Sequence, residues 1–116
     1  MSSHVCYPLL EDSAGVPATF SRRLIRSLLR EALGFSGLIV TDDLCMGALR
    51  EFGTLGESAI RATEAGHDLL LICSDLQAQQ EVFLSLIKSY TDNRLQRSEL
   101  EWSVNMIEAM KRKILV

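Results

Sequence analysis

The stretch Leu38-Ile39-Val40-Thr41-Asp42-Asp43-Leu44 is a short apolar run that ends in two adjacent carboxylates. An unbroken run of apolar and β-branched residues predicts a parallel strand that is covered on both faces. Sheets of such strands carry their chemistry at the carboxyl ends, which is where Asp42 and Asp43 lie. Because adjacent strand residues point to opposite faces, we expect only one of the two carboxylates to face a given pocket.

The same outline occurs a second time along the chain. Residues 66–75 align without gaps on residues 34–43, and each copy runs from a glycine through an apolar segment to a polar tip. A helical pattern precedes each copy. This order of helix, glycine, strand and polar loop is typical of βα units in a parallel sheet.

Apolar periodicity and capping residues predict the helices. Ser21 is a suitable N-cap for a helix that Gly34 ends, and a small-residue helix over residues 57–65 stops at Gly66. A helix over residues 76–90 is predicted to bury Val82, Phe83, Leu86, Ile87 and Tyr90. A capping box at residues 98–101 predicts the start of a last helix.

Composition excludes several classes of protein. The chain has 116 residues, 47% of them hydrophobic, and a net charge of -3 with no basic run beside aromatic residues, so nucleic acid is not an expected partner. No apolar stretch is long enough to cross a bilayer, and the N-terminus has no signal-peptide pattern. The three cysteines lack metal-ligand spacing, and we predict neither a metal site nor a cofactor. We expect a cytoplasmic location, or the envelope or periplasm should an upstream signal exist.

The count of elements is low for a complete α/β domain. Residues 1–7 read as a further strand, which makes three candidate strands with four helices. A closed eight-stranded barrel needs about 250 residues, and an open sheet of three strands leaves its edges uncovered. The chain therefore reads as a piece of a larger α/β fold.

Five separated segments together resemble glycoside hydrolase family 3, in its branch of bacterial β-N-acetylglucosaminidases (β-N-acetylhexosaminidases). They are MSSHVCYP (1–8), GVPATFS (15–21), LLR (28–30), LGFSGLIVTDDL (33–44) and AGHDLLL (65–71). The resemblance spans nearly the whole chain. It implies that the fold is a fragment of a TIM-type (β/α)8 barrel, about strands six to eight with their helices, and that residues 1–116 are the C-terminal part of that catalytic barrel.

The resemblance also implies an activity and its residues. Asp42, which follows Thr41 in the motif, corresponds to the nucleophile of a retaining glycosidase that removes terminal β-linked N-acetylglucosamine, as in peptidoglycan turnover. His4 falls at the end of the first predicted strand, where it would contact the nucleophile or the sugar. Met46 would contact the sugar or pack at the rim of the pocket. His67 belongs to the opposite end of the strands and is expected to be structural.

The departure from the family pattern lies in what is missing. A Lys-His-Phe-Pro-Gly-His-Gly type segment, with the acid/base loop that follows it, has no counterpart here, so we expect the chain to require the N-terminal part of the barrel for activity. Two alternatives stay open: an inactive truncated remnant that keeps part of a sugar pocket, and a receiver-like phosphoacceptor domain, since a strand ending in paired Asp residues also suits Mg²⁺.

Overall fold

The computed structural model describes residues 1–115. Two short strands are surrounded by helical segments. In chain order the elements are a 3₁₀ turn Ala18–Phe20, a π-helix Arg23–Ala32, β1 (Val40–Asp43), a 3₁₀ helix Gly47–Phe52, α1 (Leu55–Ala65), β2 (Leu69–Leu71), α2 (Leu76–Thr91) and α3 (Arg97–Ile114). No helix within these residues is both long and apolar enough to cross a membrane.

The two strands are parallel, and their pairing is irregular. Val40 pairs with Leu69 and Asp43 pairs with Leu71, so three steps along β1 match two steps along β2. One extra residue on β1 therefore forms a β-bulge. The bulge lies directly before the end of the strand that carries the two carboxylates.

Two groups of buried apolar side chains hold these elements together. The larger group lies among the 3₁₀ turn, the end of β1, α1 and α2, and contains Phe20, Leu44, Leu49, Ala59, Ala62 and Val82. The smaller group packs the π-helix against the start of β1 and the end of α1, through Ile25, Ile39 and Ala65. The carboxyl end of β1 is therefore anchored by Leu44 directly after the carboxylates.

Several local predictions are confirmed. The Ser21 hydroxyl accepts the N–H of Leu24 at 3.0 Å, as expected of an N-cap, although the helix that follows is of the π type. Gly66 ends α1 with φ of 113°, a left-handed conformation that favours glycine. The helix predicted over residues 76–90 is α2.

Other local predictions are wrong. Helix α3 begins at Arg97 after Gln96, so Ser98 lies inside the helix and no side chain caps its start. Of the inner face predicted for α2, only Val82 is buried, and Phe83 and Ile87 are exposed. Ser89, which was not predicted, is also buried. Amphipathic spacing shows which residues share a face, but it does not show how much of that face the neighbouring elements cover.

The predicted fold class, strands six to eight of a TIM-type (β/α)8 barrel, is wrong. Residues 1–115 contain two strands and not three, because residues 1–7 make only scattered backbone hydrogen bonds. Ser2 N–H donates to the Val40 carbonyl at 2.9 Å, and a single antiparallel bridge joins Cys6 to Pro17. A strand needs a repeated ladder, and the chain turns away at residues 7–10 before one forms.

Candidate active site

The bulge in β1 sets the geometry at the carboxyl ends of the strands. The N–H of Leu71 donates to the Thr41 hydroxyl at 3.0 Å, so a side chain takes the place of a backbone acceptor in the ladder. Thr41 is fully buried. Bulges beside functional sites re-aim the side chains that follow them, and here the next residue is Asp42.

Asp43 joins the ends of the two strands. Its Oδ1 accepts the N–H of Cys45 at 3.1 Å and the N–H of Cys73 at 3.0 Å. These hydrogen bonds, that from Cys73 first, lower the pKa of Asp43 below its ordinary value. Asp43 is therefore ionised at neutral pH and serves as an acceptor for backbone groups.

Asp42 lies at the same strand end and is half-buried. Its Oδ1 accepts the N–H of Asp43 at 2.8 Å. Across residues 1–115 its carboxylate makes no other hydrogen bond to a protein group, so Oδ2 is available to a ligand. The arrangement separates the two carboxylates, as strand alternation predicts: Asp43 turns to the backbone of the next strand, and Asp42 does not.

His4 lies beside this strand end and contacts the residue after Asp42. Its Nε2 lies 2.8 Å from the backbone carbonyl oxygen of Asp43, and its Nδ1 lies 2.6 Å from the Thr19 hydroxyl. Both ring nitrogens are therefore engaged by protein groups. The predicted sugar contact of His4 stays a prediction.

Met46 follows the strand end and is exposed. With Cys45, Arg50 and Ser74 it lines a shallow, mainly apolar cavity of about 240 Å³. Burial and the nearby Asp43 carboxylate raise the pKa of the Cys45 thiol, so Cys45 is not an activated nucleophile. The position suits a contact with an apolar part of a ligand, and the predicted role of Met46 in sugar binding stays a prediction.

A larger cavity of about 460 Å³ lies at the opposite ends of the strands. Several of its lining groups are held by other protein groups: Arg30 forms an ion pair with Asp68 at 2.7 Å and stacks over the Trp102 ring at 4.7 Å. His67 is buried there, with Nδ1 2.9 Å from the Ala62 carbonyl. These contacts hold helices to strands, whereas the unpaired carboxylate oxygen lies at the other end, so we place the candidate site at Asp42.

No group of three or more His, Cys, Asp or Glu side chains within residues 1–115 is arranged to hold a metal ion. The chemistry available at the strand end is that of a carboxylate.

Sequence reasoning missed two parts of this site. Thr19, which is fully buried, had no assigned role although it bonds His4. The bond from Asp43 to Cys73 joins residues that lie 30 positions apart, and no local pattern marks it. The alignment of residues 34–43 on residues 66–75 gave only a partial signal, since it matches Asp43 with Asp75, two residues after Cys73.

Comparison with known proteins identifies the family of the chain. A family model described as "Glycosyl hydrolase family 3 N terminal domain" matches residues 1–110. This match confirms the family resemblance. It is to a model of an N-terminal domain, and the predicted domain assignment of residues 1–116 stays a prediction.

Individual relatives carry related names. The chain is 41% identical over 86 residues to a protein from Nitrosomonas eutropha named "Beta-hexosaminidase", which covers 74% of this chain and 24% of that protein. It also resembles the structure of a glycoside hydrolase family 3 beta-N-acetylglucosaminidase from Paenibacillus sp. str. FPU-7, with TM-score 0.89, 36% identity, and coverage of 94% of this chain and 20% of that one. The beta-N-acetylglucosaminidase from Thermotoga maritima gives TM-score 0.82 at 28% identity, covering 92% of this chain and 23% of that one. The chain thus spans about a quarter of the length of the curated relatives that it matches.

Proposed function

Because the chain belongs to glycosyl hydrolase family 3, we propose that it carries the nucleophile of a retaining β-N-acetylhexosaminidase and that this nucleophile is Asp42. The activity would belong to a longer protein, of which these residues form the nucleophile-bearing part. The single observation that carries the proposal is the state of the Asp42 carboxylate, with one oxygen held by the Asp43 N–H and the other free of protein partners among residues 1–115.

The held oxygen gives the carboxylate a fixed direction. A nucleophile that is held in line with its target avoids much of the entropic cost of reaching the transition state. In the proposed reaction Oδ2 of Asp42 bonds to the anomeric carbon while the bond from that carbon to the leaving oxygen breaks. The electron pair of that bond stays on the leaving oxygen, which takes a proton from a general acid; water then cleaves the Asp42 ester and restores the carboxylate.

The general acid of this reaction is best sought outside the strand end. Asp43 is unsuited because its lowered pKa keeps it ionised at neutral pH. His4 is unsuited because both of its ring nitrogens already lie within hydrogen-bond distance of Thr19 and Asp43. We propose that the acid comes from a part of the longer protein that these residues do not include.

The names of the relatives support the substrate class. Proteins called beta-hexosaminidase and beta-N-acetylglucosaminidase act by name on N-acetylhexosaminides, so we propose terminal β-linked N-acetylglucosamine as the substrate of this protein. Oligosaccharides derived from peptidoglycan are the proposed natural source.

A chimera tests the proposal. The part of the Nitrosomonas eutropha protein that precedes its matched region is joined to this chain, and release of nitrophenol from an aryl N-acetyl-β-glucosaminide is measured. We expect turnover by the chimera and its loss by several orders of magnitude in Asp42→Asn, which keeps the shape but removes the charge. Asp75→Asn, at the N-cap of α2, is the matched control that should retain turnover.

Covalent labelling identifies the nucleophile directly. A 2-fluoro glycosyl fluoride should form a stable ester on the nucleophile, which peptide mapping by mass spectrometry assigns to a residue. A label on Asp43, or equal turnover in the chimera and its Asp42→Asn variant, would refute the assignment. The 116-residue chain by itself should show no turnover, since general acid assistance alone contributes about 10²- to 10⁴-fold.

A further inference from the structure

His4 is clamped along both edges of its ring. Nε2 lies 2.8 Å from the Asp43 carbonyl oxygen, which can only accept, so Nε2 carries the hydrogen of this bond. Nδ1 lies 2.6 Å from the hydroxyl of Thr19, a side chain that is fully buried and also lies 3.1 Å from the Ser3 carbonyl. The ring thus connects a rigid part of the core to the residue after the proposed nucleophile.

Several atoms of Asp43 are held by hydrogen bonds, and its backbone N–H points at Asp42. His4 binds its carbonyl, the N–H groups of Cys45 and Cys73 bind its carboxylate, and its own N–H donates to Oδ1 of Asp42. Rotation of the Asp43 backbone would turn that N–H away from Asp42. The direction of the Asp42 carboxylate therefore depends on how firmly Asp43 is held.

We infer that His4 is a positioning residue, which fixes the backbone of Asp43 through its Nε2–H and thereby orients the carboxylate of Asp42. The role differs from the sugar contact expected of His4, because the ring nitrogens face protein groups. The catalytic consequence rests on the proposed function of Asp42; the structural consequence does not.

Two substitutions separate the two edges of the ring. The longer side chain of His4→Gln places an N–H donor near the position of Nε2, whereas the shorter side chain of His4→Asn places one near the position of Nδ1 and cannot reach Asp43. If His4 acts through Asp43, Gln should rescue what Asn loses. If the His4 ring only fills space, His4→Gln and His4→Asn should have equal effects.

The first measurement is NMR on the 116-residue chain. We expect the Nε2 proton of His4 to exchange slowly with water in the native chain. The chemical shifts of the Asp43 carbonyl carbon and the Asp42 carboxyl carbon should stay close to native in His4→Gln and move in His4→Asn. Equal effects of the two substitutions, or an Asp42 carbon that neither substitution moves, would overturn the inference.

The second measurement is kinetic and uses the chimera described above. His4→Asn should lower kcat by up to about 100-fold with KM unchanged, the size of effect expected when a reacting group is displaced, and His4→Gln should restore most of it. A raised KM with unchanged kcat would instead identify His4 as a sugar contact and overturn the inference. The expected NMR result together with a chimera that shows no turnover would refute the function of Asp42 and leave the positioning of its carboxylate intact.

Discussion

Replacement of Asp68 with asparagine should destabilise the fold more than any surface charge change, because Asp68 is a buried carboxylate that three elements share. Its side chain is 1% exposed. Oδ2 accepts from Arg30 Nη2 at 2.7 Å and from the Ile39 N–H at 2.8 Å, and Oδ1 accepts the Ser103 hydroxyl at 2.8 Å. These bonds connect the π-helix, the entry to β1 and helix α3 to the residue that precedes β2.

The expected loss follows from the charge that remains. The amide introduced by Asp68→Asn would keep one oxygen for the Arg30 and Ile39 donors, and the Ser103 hydroxyl can rotate to accept from the new N–H. The guanidinium of Arg30, whose side chain is 16% exposed, would be left without its counter-ion. Breaking a buried ion pair in this way costs about 3 kcal/mol, a large share of the roughly 5–15 kcal/mol that holds a typical domain.

Urea unfolding followed by circular dichroism measures this loss. With an m value of about 1–3 kcal/mol/M, the midpoint should fall by about 1–3 M with little change in slope. Asp92→Asn is the matched control, since the Lys88–Asp92 pair is exposed and worth about 0–1 kcal/mol. If Asp68→Asn changed the midpoint no more than Asp92→Asn, the reasoning about the buried pair would be refuted.

Three further predictions concern titration and reactivity. Burial lowers the pKa of His67, so the unfolded chain takes up a proton before the folded one; the urea midpoint should fall as the pH is lowered through about 6.5, and His67→Asn should flatten that slope. Asp43 follows the same sign at lower pH: its lowered pKa adds stability above its ordinary value of 3.8, and this stability is lost as the pH falls through the folded pKa. Asp43→Ala should therefore cost about 2–4 kcal/mol near neutral pH, measured by urea unfolding, and a difference from the native chain that did not shrink in acid would contradict this. Iodoacetamide should alkylate the exposed Cys6 and Cys73 before Cys45, whose pKa is raised; peptide mapping that found Cys45 modified first would contradict the structure.

The site illustrates the limits of prediction from sequence. The sequence shows Asp42 and Asp43 as an adjacent pair, and strand alternation predicts that their side chains point to opposite faces. The alternation of side chains along a strand did not predict the bulge in β1. At the bulge the Thr41 hydroxyl accepts a hydrogen bond from the N–H of Leu71. That bond joins residues 30 positions apart, and its formation depends on how the two strands are brought together.

The local elements of this protein follow from neighbouring residues alone: the apolar run before two carboxylates, the glycine that ends α1 and the serine whose hydroxyl caps the π-helix. Each of these depends on neighbouring residues and on backbone conformation, which the sequence states directly. Three other features depend on contacts between distant residues: residues 1–7 form no strand, His4 binds the Asp43 carbonyl, and the Asp43 carboxylate accepts a backbone N–H from the segment after β2. Those outcomes depend on which donors and acceptors from distant parts of the chain come within about 3 Å of one another, and hydrogen bonds of that range exist only once the core has brought the elements together.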